Sequence, residues 1–419
     1  MAINAPKGTI DITPKEVYKW HYIENTLRRI SDKYNFYEIR TPNFENTELF
    51  LRGVGDTTDV VSKEMYTFLD KGERSITLRP EGTAGAARCF IERGIYAEAQ
   101  PTKFYYIIPC YRYEKPQAGR LREFRQFGVE MYGAKDPAAD AEVISIADEI
   151  FKSFGINDLE LNINNIGCPD CRKEYNEKLK AFLEDKKDKL CDTCKERLSK
   201  NPLRIFDCKS DICQDIIKDA PVMFDNVCDD CRDHFSKVEN YLKEMGIEYK
   251  IDKGIVRGLD YYTKTVFEFV SSKIGAQGTV CGGGRYDNLI EEIGDKKIPG
   301  IGFAIGIERL LLVLEAYGTE LPKEERIKLF MVTISEKADM MAAKTLKILR
   351  NKNVKCEKDF IGRSLKAQLK HANKLNAEYT VVVGDDDIKN NEFNVKNMDS
   401  GETHNVTFDE LLEMFGGKE

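Results

Sequence analysis

Long apolar runs are missing from this 419-residue sequence. The most apolar stretch, Pro299 to Tyr317, is broken by Glu308, Arg309 and Glu315, whereas a helix needs about 20 apolar residues to cross a bilayer. The opening Met1-Ala-Ile-Asn-Ala-Pro-Lys-Gly8 has no apolar h-region. The sequence therefore predicts no membrane span and no secretory signal, and places the chain in the cytoplasm. Histidine is scarce. His21, His234, His371 and His404 each stand alone, without metal-ligand or carboxylate spacing around them. That argues against histidine acid–base or Ser-His-Asp chemistry. The only Gly-Lys dipeptide is Gly417-Lys418, so no P-loop is present. Gly300-Ile-Gly-Phe-Ala-Ile-Gly306 is spaced one residue too long for the dinucleotide fingerprint. Any nucleotide site must use other means. An excess of positive charge is missing too: 64 Lys and Arg face 71 Asp and Glu, for a net −7. A nucleic-acid partner would need a local basic surface.

What is present is material for several cores. One core stops growing at about 250–300 residues, so two or three domains are expected. With 42% hydrophobic and 32% charged residues, wholesale disorder is excluded. Residues 1–325 mix helical periodicity (Trp20 to Tyr34, Asp140 to Phe154) with aromatic and β-branched strands such as Lys103 to Tyr113, Leu121 to Met131 and Thr265 to Val270. The pair around the Glu114–Gly119 turn cluster reads as a long hairpin of an antiparallel sheet. Residues 166–250 interrupt this pattern with dense Lys, Asp and Glu and eight of the twelve cysteines, so they read as an insertion. From residue 326 to 419 strands and helices alternate, which predicts a separate α/β domain with a largely parallel sheet.

The hairpin carries the first chemical signal. Alternate residues of a strand share a face. Arg120, Arg122, Phe124, Gln126 and Glu130 fall on one face of the second arm, and Leu121, Phe127, Val129 and Met131 on the other. Arg112 and Glu114 end the first arm at even positions as well. Guanidinium groups can grip phosphate oxygens in bidentate fashion, and a ring such as Phe124 can stack on a base. Arg309 adds a second signal. It sits in the first turn of a helix starting near Gly306, where the macrodipole disfavours a cation unless an anion binds there.

These segments resemble one family. Arg40 to Phe50, Arg112 to Phe124 and Gly300 to Leu310 are similar to motifs 1, 2 and 3 of the class II aminoacyl-tRNA synthetases. Leu78-Arg-Pro-Glu-Gly-Thr83, Val256-Arg-Gly-Leu-Asp-Tyr-Tyr262 and Gly283-Gly-Arg-Tyr-Asp287 resemble histidyl-tRNA synthetases in particular. The resemblance implies an α+β catalytic domain on an antiparallel sheet, with a small helical insertion and a C-terminal α/β anticodon-binding domain. It implies activation of L-histidine by ATP with Mg2+, and transfer of the histidyl group to tRNA(His). Arg112, Glu114, Arg120, Phe124 and Arg309 resemble the ATP contacts, and Arg257 the catalytic arginine that works with Arg112. Glu81, Thr83 and Gln126 resemble the grip on the substrate amino group. Glu130 and Tyr262 resemble the imidazole readers, and Tyr261 and Tyr286 line the pocket. Gln117 and Arg122 are implied to face the tRNA acceptor end. The motif 1 helix and Pro42 imply a homodimer. A non-catalytic paralogue that senses histidine or tRNA is the alternative, although this chain keeps Arg112, Arg257 and Arg309.

The family does not in general carry zinc, so the insertion is read on its own residues. Cys168-x2-Cys171 and Cys191-x2-Cys194 have the spacing of a four-thiolate zinc site. Cys208-x4-Cys213 and Cys228-x2-Cys231 could make another. Lys195, Arg197, Lys200 and Arg204 read as surface charges available to a tRNA acceptor arm, and the zinc as remote from the reaction.

Overall fold

Apolar residues at every second position turn Thr102–Tyr111 and Glu123–Tyr132 into the expected hairpin, with Tyr105 opposite Val129 and Ile107 opposite Phe127. In this computed structural model, which describes residues 3–55, 58, 60–208, 210–275 and 278–416, the hairpin sits inside an eight-stranded sheet. Gly417-Lys418 lies outside the described residues. Next to the hairpin come Gly300–Gly306, Thr279–Arg285, Thr263–Val270 and Glu160–Asn165, all antiparallel. Among the described residues of this sheet, only the short edge strands Tyr37–Glu38 and Lys250–Ile251 pair in parallel.

One face of this sheet is covered by the helices Pro14–Lys33 and Pro137–Ser153. Trp20, Ile23, Leu27 and Ile30 from the first, and Ile144, Ala147 and Ile150 from the second, share a buried cluster with Phe127, Val129 and Met131. Each such large side chain contributes about 1.5–3 kcal/mol when fully buried. The odd positions of the second arm are thus spent on the core, as the alternation requires. The even positions from Gln126 onward are buried too, because the opposite face is roofed rather than open. Arg120 and Arg122 do not belong to the strand, which begins at Glu123. They lie on the turn before it, where Gln117 and Arg120 exchange backbone hydrogen bonds of 3.0 and 2.9 Å.

The insertion is helical, with Pro169–Glu184, Asp192–Lys200, Asp211–Ile217 and Asp229–Glu244 as its main elements. Cys168 precedes a proline at the first helical position, a favoured helix start. Tyr175, Leu179 and Leu183 recur at four-residue spacing and are buried on one stripe. This stripe belongs to an apolar cluster that also contains Ile255, Val256, Tyr261, Tyr262 and Tyr286. The insertion is therefore continuous with the catalytic domain's interior and is not a detached charged module.

A buried ionic group fastens the same region from the other face. Arg285 donates to Asp140 (3.1 and 3.2 Å from Nε), and His234 of the insertion approaches Asp140 at 3.3 Å. Burial pushes the Asp140 carboxyl up, but the Arg285 charge and the bonds from His234 and Arg285 outweigh it and hold it at about 2. His234 is not alone after all. Its carboxylate comes from Asp140, far away in the sequence.

Residues 323–419 form a second compact unit. Its five-stranded sheet is parallel where Leu329–Thr333 meets Cys356–Lys358 and Tyr379–Val383. It turns antiparallel through Phe393–Asn397 and Thr403–Val406, a hairpin that the βαβ reading did not foresee.

Candidate active site

On the sheet face away from the two core helices lies a cavity of about 230 Å³. Glu81, Thr83, Arg112, Gln126, Arg257, Tyr261, Tyr262 and Tyr286 line it together, although they come from segments far apart in the chain. Glu130, 1% exposed, lies behind three of the lining residues, Thr83, Tyr286 and Gly302. Its carboxylate accepts from the hydroxyls of Thr83 (2.7 Å), Tyr106 (2.9 Å) and Tyr286. Burial pushes Glu130 up to about 8, and the nearby Glu81 charge adds to this while the three hydroxyl donors oppose it. Glu81 is raised as well, chiefly by burial. Its two oxygens accept the Thr83 and Ala84 amides (2.7 and 2.8 Å) at the start of the helix Thr83–Glu92. Gln126 accepts the Gly82 amide at 2.9 Å. Two acids, an amide and several hydroxyls are thus held in fixed places by packing and hydrogen bonds.

The glycines of the neighbouring strands make this possible. Gly302 lies opposite Glu130, and a Cβ there would run into the Glu130 carboxylate. A Cβ at Gly282 would run into the Arg257 guanidinium. Arg257 forms an ion pair with Glu268, and Thr279 donates to the other Glu268 oxygen at 2.8 Å. The Arg257 guanidinium also lies 5.8 Å from the Tyr262 ring centroid.

Further out, Arg112 donates to the Pro80 carbonyl at 2.8 Å and its guanidinium lies over the Phe124 ring at 5.2 Å. Arg120 pairs with Glu114 at 3.2 Å. Arg309 is the third residue of the helix Ile307–Ala316. Burial, and then the Arg120 charge, pull its pKa below the ordinary arginine value. Arg122 stacks on Tyr113 at 3.9 Å, while Gln117 is exposed at the turn. The arrangement is a pocket with an acidic, hydroxyl-rich floor and a guanidinium-rich rim.

A family model described as Histidyl-tRNA synthetase matches residues 8–310, and one described as Anticodon binding domain matches residues 328–418. The chain belongs to the histidyl-tRNA synthetase family. It is 55% identical over 414 residues to the histidine–tRNA ligase of Clostridioides difficile (strain 630), covering 99% of both chains. It is 58% identical over 411 residues to that of Thermoanaerobacter sp. (strain X514), covering 98% of both. The crystal structure of apo S. aureus histidyl-tRNA synthetase superposes with a TM-score of 0.85 at 43% identity, covering 99% of this chain and 100% of that one. The fold is that of class II synthetases, a catalytic domain built on a sheet followed by an anticodon-binding domain.

For this histidyl-tRNA synthetase fold, sequence reasoning missed two contributors and understated a third. Tyr106 bonds Glu130 directly, and its signal was a glycine, Gly128, placed opposite it on the next arm. Glu268 pairs with Arg257, and its signal was a lone acid within the apolar strand Thr263–Val270. Tyr286 was read as lining, yet its hydroxyl bonds the Glu130 carboxylate.

The insertion requires two corrections. Cys168, Cys171, Cys191 and Cys194 do not converge as one group. The chain instead brings Cys168 and Cys171 to Cys228 and Cys231, and Cys191 and Cys194 to Cys208 and Cys213. Spacing fixes each C-x2-C pair locally, but the partner pair is chosen by where the helices pack. The insertion is also not remote from the pocket. Arg204, read as a surface charge, is 7% exposed and donates to the Gly258 carbonyl at 2.9 Å. Asn201 donates to the Asp260 carboxylate (2.7 Å), and Arg172 to the Asp260 carbonyl (3.3 Å). All three bonds grip the turn between Arg257 and Tyr261.

Proposed function

We propose that the chain is a histidine–tRNA ligase. The histidine carboxylate attacks the α-phosphate of ATP, giving histidyl-adenylate and pyrophosphate; a hydroxyl of the 3′-terminal ribose of tRNA(His) then attacks the histidyl carbonyl and AMP leaves. The observation that carries this reading is the buried Glu130, bonded by the hydroxyls of Thr83 and Tyr286, which line the same cavity as Arg112 and Arg257. An imidazole has two nitrogens to satisfy, and a carboxylate with phenols beside it can do so. In-line displacement at phosphorus needs positioning and charge neutralisation more than proton transfer, which suits arginines in a dry, preorganised pocket.

In this reading Glu130 and Tyr262 face the imidazole, with Tyr261 and Tyr286 closing the pocket around it. Glu81, Thr83 and Gln126 hold the amino group. Arg257 bridges the substrate carboxylate and the α-phosphate, which Arg112 also contacts. Phe124 underlies the adenine, Glu114 and Arg120 complete the nucleotide grip, and Arg309 meets the γ-phosphate. An anion at Arg309 would relieve the burial and the Arg120 repulsion that depress its pKa. Glu81 and Glu130 are already engaged by amides and hydroxyls, and among the described residues no group of three carboxylates converges there. Mg2+ brought with ATP would be held chiefly by the phosphates, where it would neutralise their charge, with few protein ligands.

Gln117 and Arg122 face the tRNA acceptor end. The ligase works in the cytoplasm, in keeping with a chain in which no described helix is long and apolar enough to cross a membrane. It works as a homodimer. Phe44 and Phe68 stand exposed on one face of the small sheet formed by Phe44–Asn46, Tyr66–Leu69 and Ser75–Leu78, an apolar surface suited to a second copy. In the C-terminal unit, Asp359, Phe360 and Arg363 line a crevice beyond the carboxyl ends of the parallel strands, with Phe360 67% exposed. An exposed ring there is placed to stack on an anticodon base. Phe360→Ala should raise the KM for tRNA roughly 5–100-fold, at about 1–3 kcal/mol per stacked base. Histidine activation should be unchanged, and comparing aminoacylation with exchange kinetics checks both.

Histidine-dependent ATP–pyrophosphate exchange, followed by charging of tRNA(His), tests the whole reading. Exchange without charging, or neither, would favour the sensing paralogue.

A further inference from the structure

The eight insertion cysteines are nested. The outer group joins the N-terminal ends of Pro169–Glu184 and Asp229–Glu244, where Cys168 and Cys228 are the N-caps. The inner group joins the start of Asp192–Lys200 to Cys208, ahead of the helix Asp211–Ile217, and to Cys213 in that helix's first turn. Within each group the sulfur atoms all lie within 4.8 Å of one another. Cys168 and Cys171 are 3.5 Å apart, and Cys191 and Cys208 3.7 Å. None of the cysteines is in a disulfide, whose sulfurs would stand at about 2.05 Å. With Zn–S bonds of about 2.3 Å, the edges of a tetrahedron are about 3.8 Å. Backbone amides also point at the sulfurs: Cys228 to Cys171 (3.1 Å), Cys191 to Cys213 (3.3 Å) and Ser210 to Cys208 (3.4 Å). Amides and helix N-termini stabilise thiolates.

We propose that the insertion holds two zinc ions, one in each four-thiolate group, and that they fix the insertion's grip on the Gly258–Asp260 turn. Soft thiolates in tetrahedral array select zinc, and four of them leave no open position for water or substrate. The ions therefore act by holding structure. What they hold is specific. Arg172 follows Cys171 directly, and Asn201 and Arg204 lie between Cys194 and Cys208, so each gripping residue is bracketed by ligands. The turn they grip leads from Arg257 to Tyr261 and Tyr262. The zinc assignment stands apart from the ligase reading, and only the activity readout rests on it.

The test begins with the full-length protein purified without chelator. Elemental analysis should give about two zinc ions per chain, and a mercurial should consume about four thiols for each zinc released. Pairwise serine variants then decide the grouping. C168S/C171S combined with C228S/C231S should keep about one zinc, whereas C168S/C171S combined with C191S/C194S should keep none. The reverse pattern would restore the sequential pairing and overturn the nested one. Less than about 0.2 zinc with eight titratable insertion thiols, or iron in place of zinc, would overturn the metal assignment. If the variants do not fold, the thiol-to-zinc ratio of the unaltered chain still decides the site count. For the grip, Asn201→Ala should keep both ions and lower the kcat of exchange roughly 10-fold, the size of one hydrogen bond, with the KM for ATP unchanged. Chelated protein should lose exchange as well. Unaltered kcat in both would overturn the coupling. No exchange in the zinc-replete, unaltered chain would reject the ligase reading and leave the zinc result standing.

Discussion

Glu130→Ala should collapse the preference for histidine over amino acids that lack ring nitrogens. A site built to pair both nitrogens of its substrate rejects analogues without them by about 10⁴–10⁵. The structure concentrates that capacity in one carboxylate. Thr83, Tyr106 and Tyr286 all donate to it, and Gly302 leaves it room. Removing it leaves buried hydroxyls without their acceptor and the imidazole without its partner. The ratio of kcat/KM for histidine to that for phenylalanine in pyrophosphate exchange should fall toward about ten. Glu130→Gln should keep the packing and still lose most of the ratio. An unchanged ratio in both variants would place the reader elsewhere. The same group sets a pH dependence. Its native pKa, about 8, lies above the ordinary 4.5, so the native state retains a proton that the unfolded chain has released. Its contribution to stability is fully present below about pH 4.5 and is lost as pH rises through about 8. Urea unfolding of the free protein should show that decline, and Glu130→Gln should flatten it.

Arg257→Ala should reduce histidine activation about 10²–10³-fold, the usual cost of removing one preorganised donor to developing charge. Glu268 and Thr279 hold Arg257 from one side, Tyr262 lies beside it, and Gly282 leaves room for it. Its position is set before substrate arrives, which is what makes such a donor effective. The loss should appear in kcat, with histidine still bound through Glu130. Arg257→Lys should recover little, because an ammonium cannot span a carboxylate and a phosphate as a planar fork does. Pyrophosphate exchange under saturating ATP, with calorimetric titration of histidine, separates the two effects. Exchange within a few-fold of the unaltered chain would remove Arg257 from the reaction.

The pocket was legible wherever chemistry follows the chain locally. The alternation in the hairpin separated Phe127, Val129 and Met131 from Gln126 and Glu130, and the structure buries the two sets on opposite faces. Arg309 was visible as a cation placed against a helix dipole. Tyr106, Glu268 and the roles of Asn201 and Arg204 were not, because each acquires its meaning from a partner on a distant segment.

The sequence by itself determined the long hairpin, the main helices and the family, because turn chemistry, hydrophobic period and motif residues are short-range properties. Which cysteines share a site was decided only by tertiary structure. A C-x2-C turn fixes two sulfurs and leaves the other two to whichever helix start packs beside it. Here the chain returns, so that Cys228 and Cys231 meet Cys168 and Cys171, and the later-starting pair is enclosed. The same return carries His234 to Asp140 and buries Arg204 against Gly258. Those contacts close long loops whose entropy cost is met only by the packed core around them, and no local pattern can record that.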